Sequence, residues 1–491
     1  MRLKHIDRTP VSFFWNGKSI EAREGDSAAA ALYAAGIRTT GWSRKFHRPL
    51  GLSGPVIGGI LARVDGIPNV RLDQTIVAQG MRIEMQNVWP SPKFNLFRFA
   101  RLIPRHWIKG GFEHSNLTPS CTKVFQMWER FLGFVAGVAD PASPSDQRRT
   151  AISGTEFKAE CVVIGAGPAG CAAANQLSHD GIDVLLVSRG PCPGRSVAAA
   201  GGVPVTISPQ VRTLWGVEVF GAYRNGTLLL GAPPNSRAGA VVIRAPSVVL
   251  ATGKRSLPPL VPGAWLPGVL DGHAAMDLAF TYGVAPGKNV VVVGDGQAQV
   301  VADRLATLGV KVIGVYPLRQ LRKIIGHSEI RAVETFDFGR LNCDALVYVG
   351  PAAADGSLQF QSGSDGQFQL TSGPTGYTVL DSADDTAALK IAATCPPSHA
   401  TLICPCMDVS SKDVADLVAA GEHDLEVIKR LTSCGMGPCQ GVPCWHSLKA
   451  FVCASTGKDP SELPLPTLRP PRRAMTVAQA AGLAELVDPL K

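Results

Sequence analysis

The 491-residue sequence contains no stretch of 18 uncharged apolar residues, which excludes an ordinary transmembrane helix. Its first residues, MRLKHIDRTPVSFFWNGKSI, have no continuous apolar run of the signal-peptide kind, so a cytoplasmic location is expected. No HExxH pair, nucleophile elbow or Walker loop occurs, and His106, His114 and His273 have no partners at metal-ligand spacing. No group for general acid–base chemistry stands out, and no catalytic residue is assigned. Residues 37–120 contain no cysteine. The chain is also too long to need a disulfide scaffold, which argues for a reducing compartment.

What is present is unevenly distributed. The net charge is +9, but residues 1–150 hold 21 basic and 11 acidic side chains, while the rest hold 27 and 28. A nucleic-acid coat over the whole surface is therefore excluded, and the basic end reads as a local docking surface for an anion. Of 12 cysteines, six lie between Cys404 and Cys453.

The length allows about three domains. Five segments are expected: a β-grasp ferredoxin-like domain over 1–90, a linker region over 91–155, a nucleotide-binding domain over 156–398, a small helical domain over 399–460 and an extended arm over 461–491. In the first, Asn16-Gly17 marks a hairpin between Val11–Trp15 and Lys18–Ala22. Asp26 or Ser27 caps an Ala-rich helix. Ile60–Val64 and Val70–Ile76 read as further strands about an Asp65-Gly66 turn. The Pro141–Arg149 segment reads as a linker. Two strand–helix–strand units, from Cys161 and from Lys288, argue for a doubly wound α/β core with parallel sheets.

Three motifs carry chemistry. Gly165-Ala166-Gly167-Pro168-Ala169-Gly170 sits between a buried strand and a helix. There a tight turn, close approach of backbone to a pyrophosphate and a helix N-terminus combine to bind a dinucleotide. The next strand ends at Ser188-Arg189, without the acidic residue that usually holds a ribose hydroxyl. Ser188 can hydrogen-bond and Arg189 can meet a phosphate. Thr252-Gly253 ends another buried strand at the same sheet edge. The second unit has Gly294 and Gly296 but Gln299 in place of a third glycine, and Arg319, Arg322 and Lys323 after it read as a solvated helix face. Its alternative is a second nucleotide, as in a self-sufficient NAD(P)H-dependent flavin oxidoreductase.

The third motif is Cys404-Pro-Cys406, then 32 residues, then Cys439 and, after four more, Cys444. Four thiolates from two loops can hold a [2Fe–2S] cluster. Structural zinc and unligated core cysteines remain alternatives. Cys434 has the same spacing to Cys439 and leaves the ligand set open.

Taken together, these residues resemble the alpha subunits of the heterotetrameric sarcosine oxidase family, with opine oxidases, D-hydroxyproline dehydrogenases and dye-linked proline dehydrogenases as nearer kin. The carrying segments are Arg44–Gly51, Val64–Asn69, Gln86–Pro92, Gly110–Phe112, Val249–Gly253, Leu266–Val269, Lys429–Thr432, Gly435–Gly441 and Arg469–Arg473. The resemblance implies an electron-transferring alpha subunit whose amine or imino-acid substrate is oxidised on an FAD-dependent amine oxidase-like beta subunit. Some members add a small third subunit. The same resemblance implies FAD, NAD or ATP at Gly165, Gly167 and Gly170, a cluster on Cys404, Cys406, Cys439 and Cys444, and FMN at the interface with the beta subunit. No nucleic-acid partner is implied.

Departures are the cysteine-free first domain, with Leu72-Asp73 where cluster-binding kin place a cysteine, the missing acid at Ser188 and the short region after Pro193-Gly194-Arg195. They motivate a third reading, a scaffold that has lost its nucleotide.

Overall fold

A computed structural model describes residues 1–53, 61–105, 123–127, 130, 152–223, 228–233, 238–363, 377–379, 397–437, 439–442, 444–473, 475–484 and 486–487. The linker expectation over Pro141–Arg149 and the Gly110–Phe112 segment lie outside these residues. The chain forms two compact units. One comprises Met1–Ala142, Ser256–Pro351 and Asp384–Pro466, and the other Ser143–Arg255, Ala352–Ala383 and Thr467–Lys491.

The first unit begins with the expected hairpin, Pro10–Trp15 paired antiparallel with Lys18–Arg23. Asn16 and Gly17 both take positive φ, as a two-residue hairpin turn requires. Pro10–Trp15 runs parallel to Arg82–Met85, which pairs in turn with Leu61–Val64. This gives the β-grasp order of a five-stranded sheet. The helix Ala28–Ala34 covers it, capped by Ser27, whose hydroxyl accepts from Ala30 N at 3.2 Å. Asp26 instead pairs with Arg2.

The strand expected at Val70–Ile76 is corrected. It spans Ile67–Arg71, because the Asp65-Gly66 turn returns the chain at once. Beyond Arg71 the chain turns, with Thr75 N donating to Arg71 O, and Leu72 drops into the core.

Residues 256–351 form a second layer of the same unit. Val269–Asp271, Ala345–Val349, Val290–Gly294 and Val312–Tyr316 make a parallel sheet in that order. Gly272–Tyr282 and Ala298–Thr307 are its helices. Arg322 and Lys323 are not on a helix. They lie on the strand Leu321–Gly326, and both pair with Glu334 of the neighbouring strand at 2.8 Å. Cross-strand charge pairing explains their clustering, in place of the expected helix face. Arg319 lies in the short 3-10 turn before that strand.

The β-grasp domain is fixed to this layer by buried polar contacts. Tyr33 Oη donates to Pro286 O at 2.6 Å, and Arg38 meets the Asp344 carboxylate at 3.2 Å. Burial pushes the Tyr33 phenol up to about 12. A raised folded-state value favours the protonated form, so this contribution is complete below about pH 10 and is lost as pH rises through 12. Tyr33→Phe is expected to cost about 1 kcal/mol at neutral pH, since the Pro286 carbonyl loses its donor. It should also flatten the loss of stability between about pH 10 and 12, read by denaturant titration at a series of pH values.

The second unit holds the other strand–helix–strand fold. Its parallel sheet has the order Arg212–Trp215, Val184–Ser188, Cys161–Ile164, Ser247–Leu250, Tyr377–Val379. A four-stranded sheet of Glu218–Tyr223, Leu228–Ala232, Val241–Arg244 and Thr155–Lys158 accompanies it. The C-terminal segment is not simply the expected extended arm. It ends in a helix, Val477–Ala481, started by a Thr476–Gln479 capping box. Buried Gln479 donates to Ala238 O at 2.8 Å, so polar docking orders what its Pro-rich composition suggests is extended. Among the described residues no helix is long and apolar enough to cross a membrane.

Candidate metal centre and nucleotide loop

The thiol centre is built by short elements with strong local signals. Leu402–Cys404 pairs with Val409–Ser410, and a 3-10 turn, Pro405–Met407, joins them. Asp408 closes the turn at φ 55°, a conformation Asp tolerates better than most residues. Ser410 and Asp413 form a capping box that starts the helix Ser411–Ala419. Asp424 caps Leu425–Thr432, and Ser433 ends it at φ 63°. A Gly-rich loop then leads to the helix Cys444–Thr456.

Cys404, Cys406, Cys439 and Cys444, the four residues read from the spacing, come together here, and all are buried. The Sγ atoms of Cys404 and Cys406 are 3.7 Å apart, and those of Cys406 and Cys439 3.5 Å apart. A fifth thiol joins them: the Sγ atoms of Cys404, Cys434 and Cys444 lie within 4.8 Å of one another. Cys453 is buried on the last of these helices and is not part of the group.

Each thiol governs the ionisation of its neighbours. Cys404 is held well below the ordinary cysteine value, first by the Cys406 thiol and then by those of Cys434, Cys439 and Cys444. Cys406, Cys434 and Cys444 are each pushed well above it, first by contact with Cys404. The centre thus holds one thiolate easily and resists a second, and a soft cation is what would let several ionise together. The loop suits such a cargo. Gly435 N donates to Cys404 Sγ at 3.3 Å, the kind of donor that tunes a thiolate ligand. At Gly437 a Cβ would stand 2.5 Å from Cys406 Sγ, so any side chain there displaces the thiol.

The cysteine-free β-grasp domain supports this centre. Its segment Arg44–Arg48 reaches the Cys406 turn: Arg44 N donates to Cys406 O at 3.2 Å. Lys45 N and Phe46 N both donate to Asp408 Oδ2, at 3.1 and 2.9 Å, and Arg48 Nε lies 3.0 Å from Asp408 Oδ1. Lys45 Nζ donates to Thr432 O at 2.9 Å. Arg105 bonds the Asp413 carboxylate at 2.6 Å. Burial pushes the Lys45 amine down, although Asp408 and Cys404 pull it up. The R-x-F-H-R-P segment marks these residues in the sequence, but nothing in the sequence indicates that Asp408 is their partner.

The nucleotide-type loop lies in the second unit. Gly165 has φ 109°, and a Cβ there would stand 2.1 Å from Ala251 O. A Cβ at Gly170 would stand 1.9 Å from Gly165 O. Both glycines are demanded by chain packing. Gly167 differs: its Cβ would meet nothing within 4 Å, so this glycine faces open space. It is the N-cap of Pro168–His179 and supplies no side-chain cap, which leaves the first N–H groups of a three-turn helix for a ligand. Pro168 and Ala169, at its start, are exposed. Ser188 Oγ accepts from Gly190 N at 3.1 Å, and Arg189 is exposed. Thr252 and Gly253 follow the end of Ser247–Leu250.

In the other unit, Gln299 replaces a glycine at no packing cost. It is exposed and bonds Asp303 at 2.7 Å, while Ala298 takes the buried place against the sheet.

An α/β core of two nucleotide-type sheets, flanked by a β-grasp domain and a thiol-rich helical domain, is the architecture of an oxidoreductase. Residues 159–335 match the model of the pyridine nucleotide-disulphide oxidoreductases, and residues 8–88 that of a 2Fe-2S iron-sulfur cluster binding domain. Residues 399–483 match the sarcosine oxidase A3 domain. The chain is a homologue of the sarcosine oxidase alpha subunit of Rhizobium meliloti, 25% identical over 95% of this chain and 57% of the relative. It is also a homologue of an opine oxidase subunit of Agrobacterium tumefaciens, 29% identical over 33% of this chain and 37% of the relative. It thus spans little more than half the length of that sarcosine oxidase chain. L-proline dehydrogenase from P. horikoshii shares the fold, with TM-score 0.70, 20% identity and coverage of 97% of this chain and 99% of that one. The matched 2Fe-2S domain, residues 8–88, contains no cysteine, so it has no thiolate for the cluster its family is named for.

Proposed function

We propose that this chain is the electron-transferring alpha subunit of a multi-subunit flavin-dependent dehydrogenase or oxidase of amines or imino acids. The observation that carries the reading is the buried thiol centre in the A3-type domain of a chain whose ferredoxin-like domain has none. Cys404, Cys406, Cys439 and Cys444 would hold a [2Fe–2S] cluster, which supplies one-electron transfer when bound. The chain's own residues exclude water from it, donate Gly435 N–H to a ligand sulfur and fix the Cys406 turn through Asp408. Gly165, Gly167, Pro168, Ala169 and Gly170, with Ser188, Arg189, Thr252 and Gly253, would line an FAD site. Substrate oxidation belongs to an FAD-dependent beta subunit in this reading, with proline, hydroxyproline, an opine or sarcosine as substrate class and FMN at the interface. The thiol-rich centre and lack of a disulfide framework support a cytoplasmic setting.

The test is metal, sulfide and nucleotide analysis of the purified chain, alone and with an amine oxidase-like subunit. Expected are about two irons and two sulfides per chain, released FAD and amine-dependent dye reduction only in the assembled complex. Zinc without iron would remove the core of the reading, and rapid NAD(P)H oxidation by the chain alone would replace it with a self-sufficient reductase. Gly437→Ala is expected to lower iron content at least about fivefold while the rest of the chain stays folded, because its methyl occupies the place of a ligand sulfur.

A further inference from the structure

Five thiols converge where a [2Fe–2S] cluster takes four. Their contacts have an order. Cys404 meets Cys406, Cys406 meets Cys439, Cys439 meets Cys444, and Cys444 returns to Cys404. These four close a ring. Cys434 stands beside one edge of it, and its direct thiol neighbours are Cys404 and Cys444.

A cysteine that merely fills a core is surrounded by hydrocarbon. Cys434 is fully buried against two thiols, and its backbone is held in that place. Its N–H donates to Thr432 Oγ1 at 3.2 Å, and its carbonyl accepts from Trp445 Nε1 at 3.3 Å. Gly435 and Gly441 keep Trp445 there, since a Cβ at either would collide with the indole. The Cys434 sulfur therefore stays within reach of whatever Cys404 and Cys444 ligate.

We propose that Cys434 is a reserve ligand of the iron–sulfur centre, able to replace Cys444 or Cys404 but not Cys406 or Cys439. In the exchange an iron–sulfur bond to Cys444 breaks and one to Cys434 forms. Cys434 gives up its thiol proton, the released Cys444 sulfur takes one up, and no electron is gained or lost. The inference rests on the reading that this centre holds [2Fe–2S]. A buried reserve thiol would let the cluster survive loss of one ligand bond without dissociating.

The experiment compares alanine variants of the full chain, purified anaerobically, by iron and sulfide content and by the EPR spectrum of the reduced protein. Cys406→Ala and Cys439→Ala are expected to fall below about a tenth of wild-type iron and set the level of loss. Cys444→Ala and Cys404→Ala should keep more than about half, with shifted g-values that report a changed ligand set. Cys434→Ala should keep its cluster, whereas Cys434→Ala combined with Cys444→Ala or Cys404→Ala should lose it. If Cys444→Ala yields no folded protein by circular dichroism, Cys404→Ala makes the same comparison. The inference is overturned if both single variants fall to the Cys439→Ala level, if the double variants keep iron, or if Cys434→Ala alone loses the cluster. Wild-type protein without iron would overturn the underlying reading instead.

Discussion

Asp408→Ala is expected to destabilise the first unit by about 3–5 kcal/mol and to deplete the thiol centre of metal. The carboxylate is fully buried and accepts from Lys45 N and Phe46 N, with the Arg48 guanidinium 3.0 Å away. Burial pushes its carboxyl up despite these donors, so the charge is held at a cost that only its partners offset. Truncation leaves a partly buried guanidinium and two backbone N–H groups without their acceptor, and removal of one partner of a buried pair costs more than the pair contributes. Asp408 also follows the turn that presents Cys406, so its loss frees a ligand as well as a domain contact. Asp408→Asn keeps an acceptor for the two N–H groups but not the charge opposite Arg48, and should cost about half as much. Denaturant unfolding followed with iron analysis measures both effects. Wild-type stability in Asp408→Ala would show that the Arg44–Arg48 segment docks without this carboxylate.

The parts of this architecture legible in the sequence are those set by local rules. The Asn16-Gly17 hairpin, the Ser27 cap and both glycine-rich loops depend on neighbours a few residues away, and each lies where its signal places it. Cysteine spacing points to one site for four thiols because two short loops carry them. Cys434 is ambiguous in the sequence because spacing to Cys439 alone cannot say on which side of a turn a sulfur falls. Ser433 at φ 63° decides it. Arg322 and Lys323 mislead because a charge cluster looks alike on a helix and a strand, and its partner Glu334 lies on the next strand. The support of the thiol centre by Lys45, Phe46 and Arg48 is not legible at all. Its acceptor, Asp408, is some 360 residues away and sits among the cysteines as an ordinary turn residue.

Alanine at the three glycines of the nucleotide loop should separate folding from binding. Gly165→Ala places a methyl 2.1 Å from Ala251 O at φ 109°, and Gly170→Ala places one 1.9 Å from Gly165 O. Neither obstacle is a flexible side chain, so the strand and helix must part, at about 2–5 kcal/mol each. Both variants are expected to lose soluble yield and thermal stability whether or not a nucleotide is bound. Gly167→Ala places its methyl in open space at an ordinary φ, so stability should change by less than about 1 kcal/mol. The same methyl stands at the N-terminus of Pro168–His179, where a pyrophosphate would come closest to the backbone. Nucleotide released from this variant is therefore expected to fall at least about tenfold. The contrast discriminates because a chain that keeps its turn for packing alone has no use for the middle glycine. If Gly167→Ala releases as much nucleotide as wild type, the ligand does not lie over this helix terminus. If neither Gly167→Ala nor wild type releases any, the loop survives only as the joint between a strand and a helix.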